Sequence, residues 1–143
     1  MPTLLTQTDT TVGFLSQNSE KLFEIKARDR NKQFLKVYSS FKEFLHSSNR
    51  IPNRQKRLVR NSKKTSFIVK NRAFRISTTS LNSQILRNHM WQYSTSANES
   101  TKNFNREFCE SKADIIIENS DGLHQRNSSS LLKINNKKVR KLR

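Results

Sequence analysis

The chain has 143 residues, with 28 lysines and arginines against 11 acids, a formal net charge of +17 and 32% hydrophobic residues. That length fits one domain able to bury roughly 68–70% of its unfolded surface, and the phenylalanines and Leu/Ile clusters spread along it argue against disorder throughout. The lone Cys109 excludes a disulfide framework and any zinc site built on paired cysteines, and the longest apolar run, Val12-Gly13-Phe14-Leu15, falls far short of the ~20 residues that span a bilayer.

A single domain over residues 1–143 is therefore expected, cytoplasmic and with no membrane partner. Met1-Pro2-Thr3-Leu4-Leu5-Thr6 has no basic region and no long apolar stretch, so no secretion signal is read there. In chain order, Thr3-Leu4-Leu5-Thr6 reads as a strand leading into a hydroxyl-rich segment, Thr8-Asp9-Thr10-Thr11. Ser19 is the expected N-cap of a helix through Leu22, Phe23, Ile25 and Lys26. Phe34 to Tyr38 reads as a strand. Ser40-Phe41-Lys42-Glu43 matches a capping box that opens a short helix through Phe44 and Leu45.

Pro52 suits the first turn of a basic helix through Leu58 and Val59. Thr65 to Val69 and Ala73 to Ile76 read as two strands around Lys70-Asn71-Arg72. A helix is expected over Leu81 to Asn88, then a short strand, Trp91-Gln92-Tyr93. Phe104 and Phe108 mark a helix running to Glu110, with Cys109 in its core or on its surface. Ile115-Ile116-Ile117 reads as a buried strand. Leu131 to Ile134 and Lys138 to Leu142 read as two closing strands. Alternating strands and helices followed by strands predict an α/β or α+β layer fold, with a twisted mixed parallel/antiparallel sheet flanked by helices.

Charge is unevenly spread. No acid occurs between Glu43 and Glu99, whereas that interval holds eleven lysines and arginines, and the last eleven residues add six more. Such a field attracts polyanions, so RNA or tRNA contact through a basic surface is expected. Aromatics are not interleaved with the cations, which is unlike an RNA-stacking platform.

With only Gly13 and Gly122, neither a P-loop nor a Rossmann turn can be built. Phosphate must then be met by cations, hydroxyls and strand-end amides. His46, His89 and His124 are too widely spaced for a metal or a triad, and no resident metal site is expected. Three polar segments remain. Taken singly, Thr8–Thr11 reads as a strand-to-turn cluster, Lys26-Ala27-Arg28 as a solvated helix end, and Ser94-Thr95-Ser96-Ala97-Asn98 as a polar turn. For Lys26 and Arg28 to serve one site, the helix must end between them.

In their order along the chain, Thr8-Asp9-Thr10-Thr11-Val12-Gly13, Lys26-Ala27-Arg28, Arg75-Ile76, Thr95-Ser96-Ala97-Asn98, Ser129-Ser130-Leu131-Leu132 and Leu142-Arg143 resemble the YrdC/TsaC family. The resemblance implies that family's fold, with a positively charged cavity. It also implies a threonylcarbamoyl-adenylate synthase, a nucleotidyltransferase that joins L-threonine, bicarbonate and ATP with Mg²⁺ and releases pyrophosphate. The product would serve the N6-threonylcarbamoyladenosine modification of tRNA and pass to a separate tRNA threonylcarbamoyl transfer complex.

By the same resemblance Lys26 and Arg28 are the catalytic cations. Thr8, Thr11, Lys26, Arg28 and Ser129 would bind threonine and bicarbonate. Lys26, Arg28, Ser66, Ser96, Asn98 and Arg143 would bind ATP. Lys26→Ala is expected to abolish turnover and leave the fold intact. The chain departs from the family pattern in having Gln33 in place of a proline, Lys63-Lys64-Thr65-Ser66 in place of Pro-Gly-Pro-x-Thr, and Glu99 in place of a glycine after Ser-Ala-Asn. The alternatives are a catalytically degenerate YrdC-like protein that binds nucleotide or double-stranded RNA, and an unrelated basic RNA-binding protein.

Overall fold

The structure is a computed structural model that describes every residue except 48, and the backbone alone of residue 80. Its elements in chain order are β1 (Leu4–Gln7), β2 (Val12–Ser16), α1 (Ser19–Lys26), β3 (Leu35–Tyr38), α2 (Phe41–His46), α3 (Lys56–Asn61), β4 (Thr65–Val69) and β5 (Arg72–Ile76). There follow α4 (Ser80–Leu86), β6 (Trp91–Ser96), α5 (Arg106–Lys112), β7 (Ile115–Ile117), β8 (Ser130–Ile134) and β9 (Val139–Lys141). They fall into two compact units, Met1–Phe34 with Gln92–Ser128, and Leu35–Trp91 with Ser129–Arg143. Strands in both parallel and antiparallel pairing, flanked by helices, are the mixed α/β architecture the sequence predicts.

In the first unit the strand order is β7-β1-β2-β6. β1 is antiparallel to β2 and parallel to β7, and β2 is antiparallel to β6. β2 is the strand that the sequence pattern does not announce. All five of its residues are buried, so its apolar run lacks the alternation that marks a half-exposed strand. Gly13 is required there, since a Cβ would stand 2.9 Å from the Thr95 carbonyl oxygen and 3.0 Å from Thr8 Cγ2. The core of the unit is Leu5, Val12, Phe14, Leu22, Phe34, Ala97, Cys109 and Leu123.

Two expectations are corrected here. The N-cap of α1 is Asn18 rather than Ser19, because the Asn18 side chain accepts from the amides of Glu20 and Lys21. β7 is not buried: it lies at the edge of the order, with Ile115 45% and Ile116 43% exposed. Three consecutive isoleucines resemble an interior strand in composition, but an edge position leaves two of them in water.

In the second unit the order is β3-β5-β4-β8-β9, with β3∥β5 and β4∥β8 parallel and β5/β4 and β8/β9 antiparallel. The β4–β5 connection is made by Lys70 and Asn71, at φ 49° and 65°, the left-handed pair that a two-residue hairpin demands. Ser40 caps α2 by accepting from the Glu43 amide at 3.1 Å, as the capping-box pattern predicts. The core is aromatic. Phe44 stacks on Phe74 at 4.3 Å between centroids, Phe74 on Phe67 at 5.6 Å, and Tyr38 meets Phe44 edge-on at 5.2 Å. Such pairs add roughly 0.5–1.5 kcal/mol each beyond their burial.

Candidate functional site

The sequence-predicted residues assemble into two groups, one in each unit. In the first, α1 stops at Lys26 because Ala27 turns left-handed, φ 46° and ψ 43°. Lys26 and Arg28 therefore flank the helix stop, as a shared site requires. Arg28 lays its guanidinium 5.0 Å from the centre of the Phe34 ring.

Lys26 points inward. Only 6% of its surface is exposed. Its ammonium donates to the carbonyl oxygens of Ser96 and Asn98, each at 3.0 Å, and to Asn98 Oδ1. Those three acceptors match its three N–H groups. Asn98 Oδ1 also accepts from Ser96 Oγ at 2.8 Å, and Asn98 Nδ2 donates to the Lys102 carbonyl. Burial, followed by the nearby positive charge of Arg28, draws the Lys26 ammonium down to about 8. Sequence reading treats Lys26 as a surface residue whose removal spares the fold. The structure corrects this, because Lys26 holds the turn after β6 in place.

Thr8 and Thr11 lie in the turn between β1 and β2. Thr8 Oγ1 donates to the Thr11 carbonyl at 2.6 Å and accepts from the Thr10 amide at 3.3 Å. The Thr11 hydroxyl accepts from the Arg126 amide at 3.0 Å. Thr11, Ser96, Asn98, Phe104, Gln125 and Arg126 are among the residues lining a cavity of about 320 Å³. It offers hydroxyls, amides, an aromatic ring and one guanidinium, a set that suits a polar ligand carrying negative charge. Arg126 was not picked out from the sequence. Its only signal was an isolated cation three residues before Ser129.

In the second unit Ser66 and Ser129, both buried, share a hydrogen bond of 2.7 Å. Arg143 donates from Nε to the Ser129 carbonyl at 2.8 Å and from Nη2 to Ser129 Oγ at 3.1 Å. Arg75 is the register partner of Ser66 across the β4–β5 pair, so both side chains lie on one face. It is 4% exposed. Arg75 matches the resemblance but carried no assigned role, and the strand register is what brings it to Ser66.

Electrostatically the units differ sharply. Of the 11 acids only Glu43 falls in the second unit, beside nineteen of the 28 cations, a formal +18; the first holds nine cations and ten acids, a formal −1. Lys21, Arg30, Lys102 and Arg106 each pair with a carboxylate of the first unit. Among the described residues no group of three or more His, Cys, Asp or Glu side chains could hold a metal ion. Among them, too, no helix is long and apolar enough to cross a membrane.

No protein-family model matches the chain, and no curated protein does. Solved structures do. The fold is similar to that of P. abyssi Sua5 complexed with L-threonine, at TM-score 0.79 and 15% identity, over 99% of this chain and 50% of that one. It is similar to E. coli YciO at TM-score 0.76 and 16% identity, over 99% of this chain and 82% of that one. The Methanobacterium thermoautotrophicum protein MTH1692 is similar at TM-score 0.72 and 16% identity, over 99% and 79% of the two chains. The chain spans about half the length of the Sua5 protein. The fold is thus YrdC-like.

Proposed function

We propose that this chain is a threonylcarbamoyl-adenylate synthase, condensing L-threonine, bicarbonate and ATP with release of pyrophosphate, in the cytoplasm and in the service of tRNA modification. One observation carries the reading. Lys26, Ser96 and Asn98, about 70 residues apart in sequence, close into one hydrogen-bonded hub, and Ser96 and Asn98 line the 320 Å³ cavity. The fold that holds them is shared with a Sua5 protein complexed with L-threonine.

The chemistry asks for alignment rather than for a nucleophilic side chain. A carbamate formed from threonine and bicarbonate is short-lived in water, so it must form beside the ATP α-phosphate. Thr8 and Thr11 would set the amino acid. Arg28 and Arg126 offer guanidinium charge to bicarbonate and phosphate oxygens. Lys26 acts through the Asn98 turn, holding Ser96 and the backbone that follows β6 against the ligand. By the family resemblance, Ser66 and Arg143 would bind ATP and Ser129 threonine or bicarbonate. Mg²⁺ would enter with ATP and offset the charge of the leaving pyrophosphate.

The test is direct. The purified chain, incubated with ATP, L-threonine, bicarbonate and Mg²⁺, should give threonylcarbamoyl-adenylate by mass spectrometry and pyrophosphate in equal amount. Product should vanish without threonine. A second reading, a binding-only relative, is favoured by the full engagement of the Lys26 ammonium within the protein. Folded protein that gives no product, yet whose Tm rises with ATP, would establish it over the synthase.

A further inference from the structure

Each unit ends on a strand with an open edge. β7 closes the order of the first unit and β9 that of the second, and among the described residues neither has a strand on its outer side. Seven large apolar side chains are exposed among those residues, and four of them, Ile115, Ile116, Val139 and Leu142, lie on or beside these two strands. An open edge that also shows apolar side chains is a template for a further strand. The proposed synthase reading uses neither strand.

The inner ladders fix which backbone groups face outward. The Ile115 amide donates to the Thr3 carbonyl at 3.2 Å, so Ile115 faces β1 and the N–H and C=O of Ile116 face away from it. On β9 the Asn135 amide donates to the Lys138 carbonyl at 3.0 Å, and Lys133 lies opposite Arg140. Lys138 and Arg140 therefore turn their backbone groups to β8, and Val139 and Lys141 turn theirs outward.

Charge selects the partner edge. Residues 105–121, which hold β7, carry five acids and two cations; Lys21, which pairs with Asp114, brings the cations there to three. Residues 137–143, which hold β9, carry five cations and no acid. β7 against β7 would set acids against acids, and β9 against β9 cations against cations; only the unlike edges attract.

We infer that β9 of one copy of this chain adds antiparallel to β7 of a second copy. With Ile116 opposite Val139, the outward N–H and C=O of each meet those of the other, and two apolar side chains stand side by side. The same register sets Asp114 opposite Lys141 and Glu118 opposite Lys137. The contact is heterologous, so each copy keeps one edge free and association continues past a dimer. Strands of three residues bury little area, which places the association at about 10–100 μM.

The experiment is sedimentation velocity on the full chain, with and without ribonuclease, from about 5 to about 300 μM. The mean mass should rise with concentration beyond that of a dimer, and fall as KCl is raised from about 50 to about 500 mM. Ile116→Pro and Val139→Pro each remove one outward N–H and spare the inner ladder. Each alone should stay monomeric. Mixed, they should form a one-to-one dimer and stop there, because each supplies the edge that the other lacks. Ile116→Lys and Val139→Glu block the same edges through the side chain alone; they should repeat this pattern at the parental Tm. A parent that stays monomeric throughout would overturn the inference, as would association that ribonuclease abolishes. Val139→Pro and Val139→Glu that associate like the parent would mean β7 on β7 and overturn it too, and so would mixtures that remain monomeric.

Discussion

Nine cations face ten acids in the first unit, and nineteen face Glu43 in the second. The same contrast runs through their polar groups. In the first unit a buried ammonium is held by one turn, and four other cations, Lys21, Arg30, Lys102 and Arg106, pair with carboxylates. In the second, hydroxyls and guanidinium groups meet one another, as in Ser66–Ser129–Arg143. A net +17 is therefore not a property of the surface at large. It belongs to one half of the fold, while the other is close to neutral and carries the cavity beside Lys26.

The contrast is broken most severely through the cores. Phe44 stacks on Phe74 and meets Tyr38 edge-on at the centre of the second unit. Phe44→Ala should cost about 3–5 kcal/mol, read as a drop in the urea midpoint. A loss confined to the second unit, with the near-ultraviolet signal of the first retained, would show that the units unfold separately. A single shared transition would show one cooperative body.

Next in size is Lys26→Ala. It removes one donor each from the Ser96 carbonyl, the Asn98 carbonyl and Asn98 Oδ1, although the Ser96 carbonyl keeps the Asn98 amide and Oδ1 keeps Ser96 Oγ, an expected cost of about 1–3 kcal/mol. Turnover, under the synthase reading, should fall by about 100-fold or more because the turn bearing Ser96 is no longer fixed. Thermal melting and pyrophosphate release measure the two effects. Parental stability with lost activity would return Lys26 to the role of a free cation that touches substrate.

The equivalent cut in the second unit is milder. Ser129→Ala removes the partner of the buried Ser66 hydroxyl and one acceptor of Arg143, worth about 1–2 kcal/mol. The exposed Arg143 keeps its bond to the Ser129 carbonyl. Urea titration should show the loss; an unchanged midpoint would mean that Ser66 finds water instead.

Much of the architecture was legible because local chemistry and tertiary placement agree. The Ser40–Glu43 cap, the strands on either side of Lys70-Asn71 and the helix carrying Cys109 follow from pattern alone. β2 and β7 were not legible for opposite reasons. Full burial erased the alternation of Val12–Ser16, and edge position exposed an isoleucine run that composition would bury. At the site, the helix stop between Lys26 and Arg28 could be demanded in advance, but its cause, a left-handed alanine at 27, has no sequence signal of the glycine kind. That Lys26 reaches Ser96 and Asn98 is a matter of topology, which antiparallel β2–β6 pairing supplies and spacing along the chain does not. Arg75 opposite Ser66 and Arg126 beside Thr11 stayed hidden for the same reason.

The smallest effect is one of pH, and it belongs to the first unit. Burial and Arg28 bring Lys26 down to about 8. Below about 8 the Lys26 ammonium carries its charge and all three donors; above it the neutral amine has two donors and no charge. Affinity for a non-hydrolysable ATP analogue should therefore fall as pH rises from 7 to 9, by at most about tenfold, since the charged fraction falls from roughly nine-tenths to one-tenth over that span. Lys26→Arg keeps a permanent charge at the position and should flatten the profile, whatever it does to absolute affinity. A slope unchanged in Lys26→Arg would place the titrating group outside the Lys26–Asn98 hub.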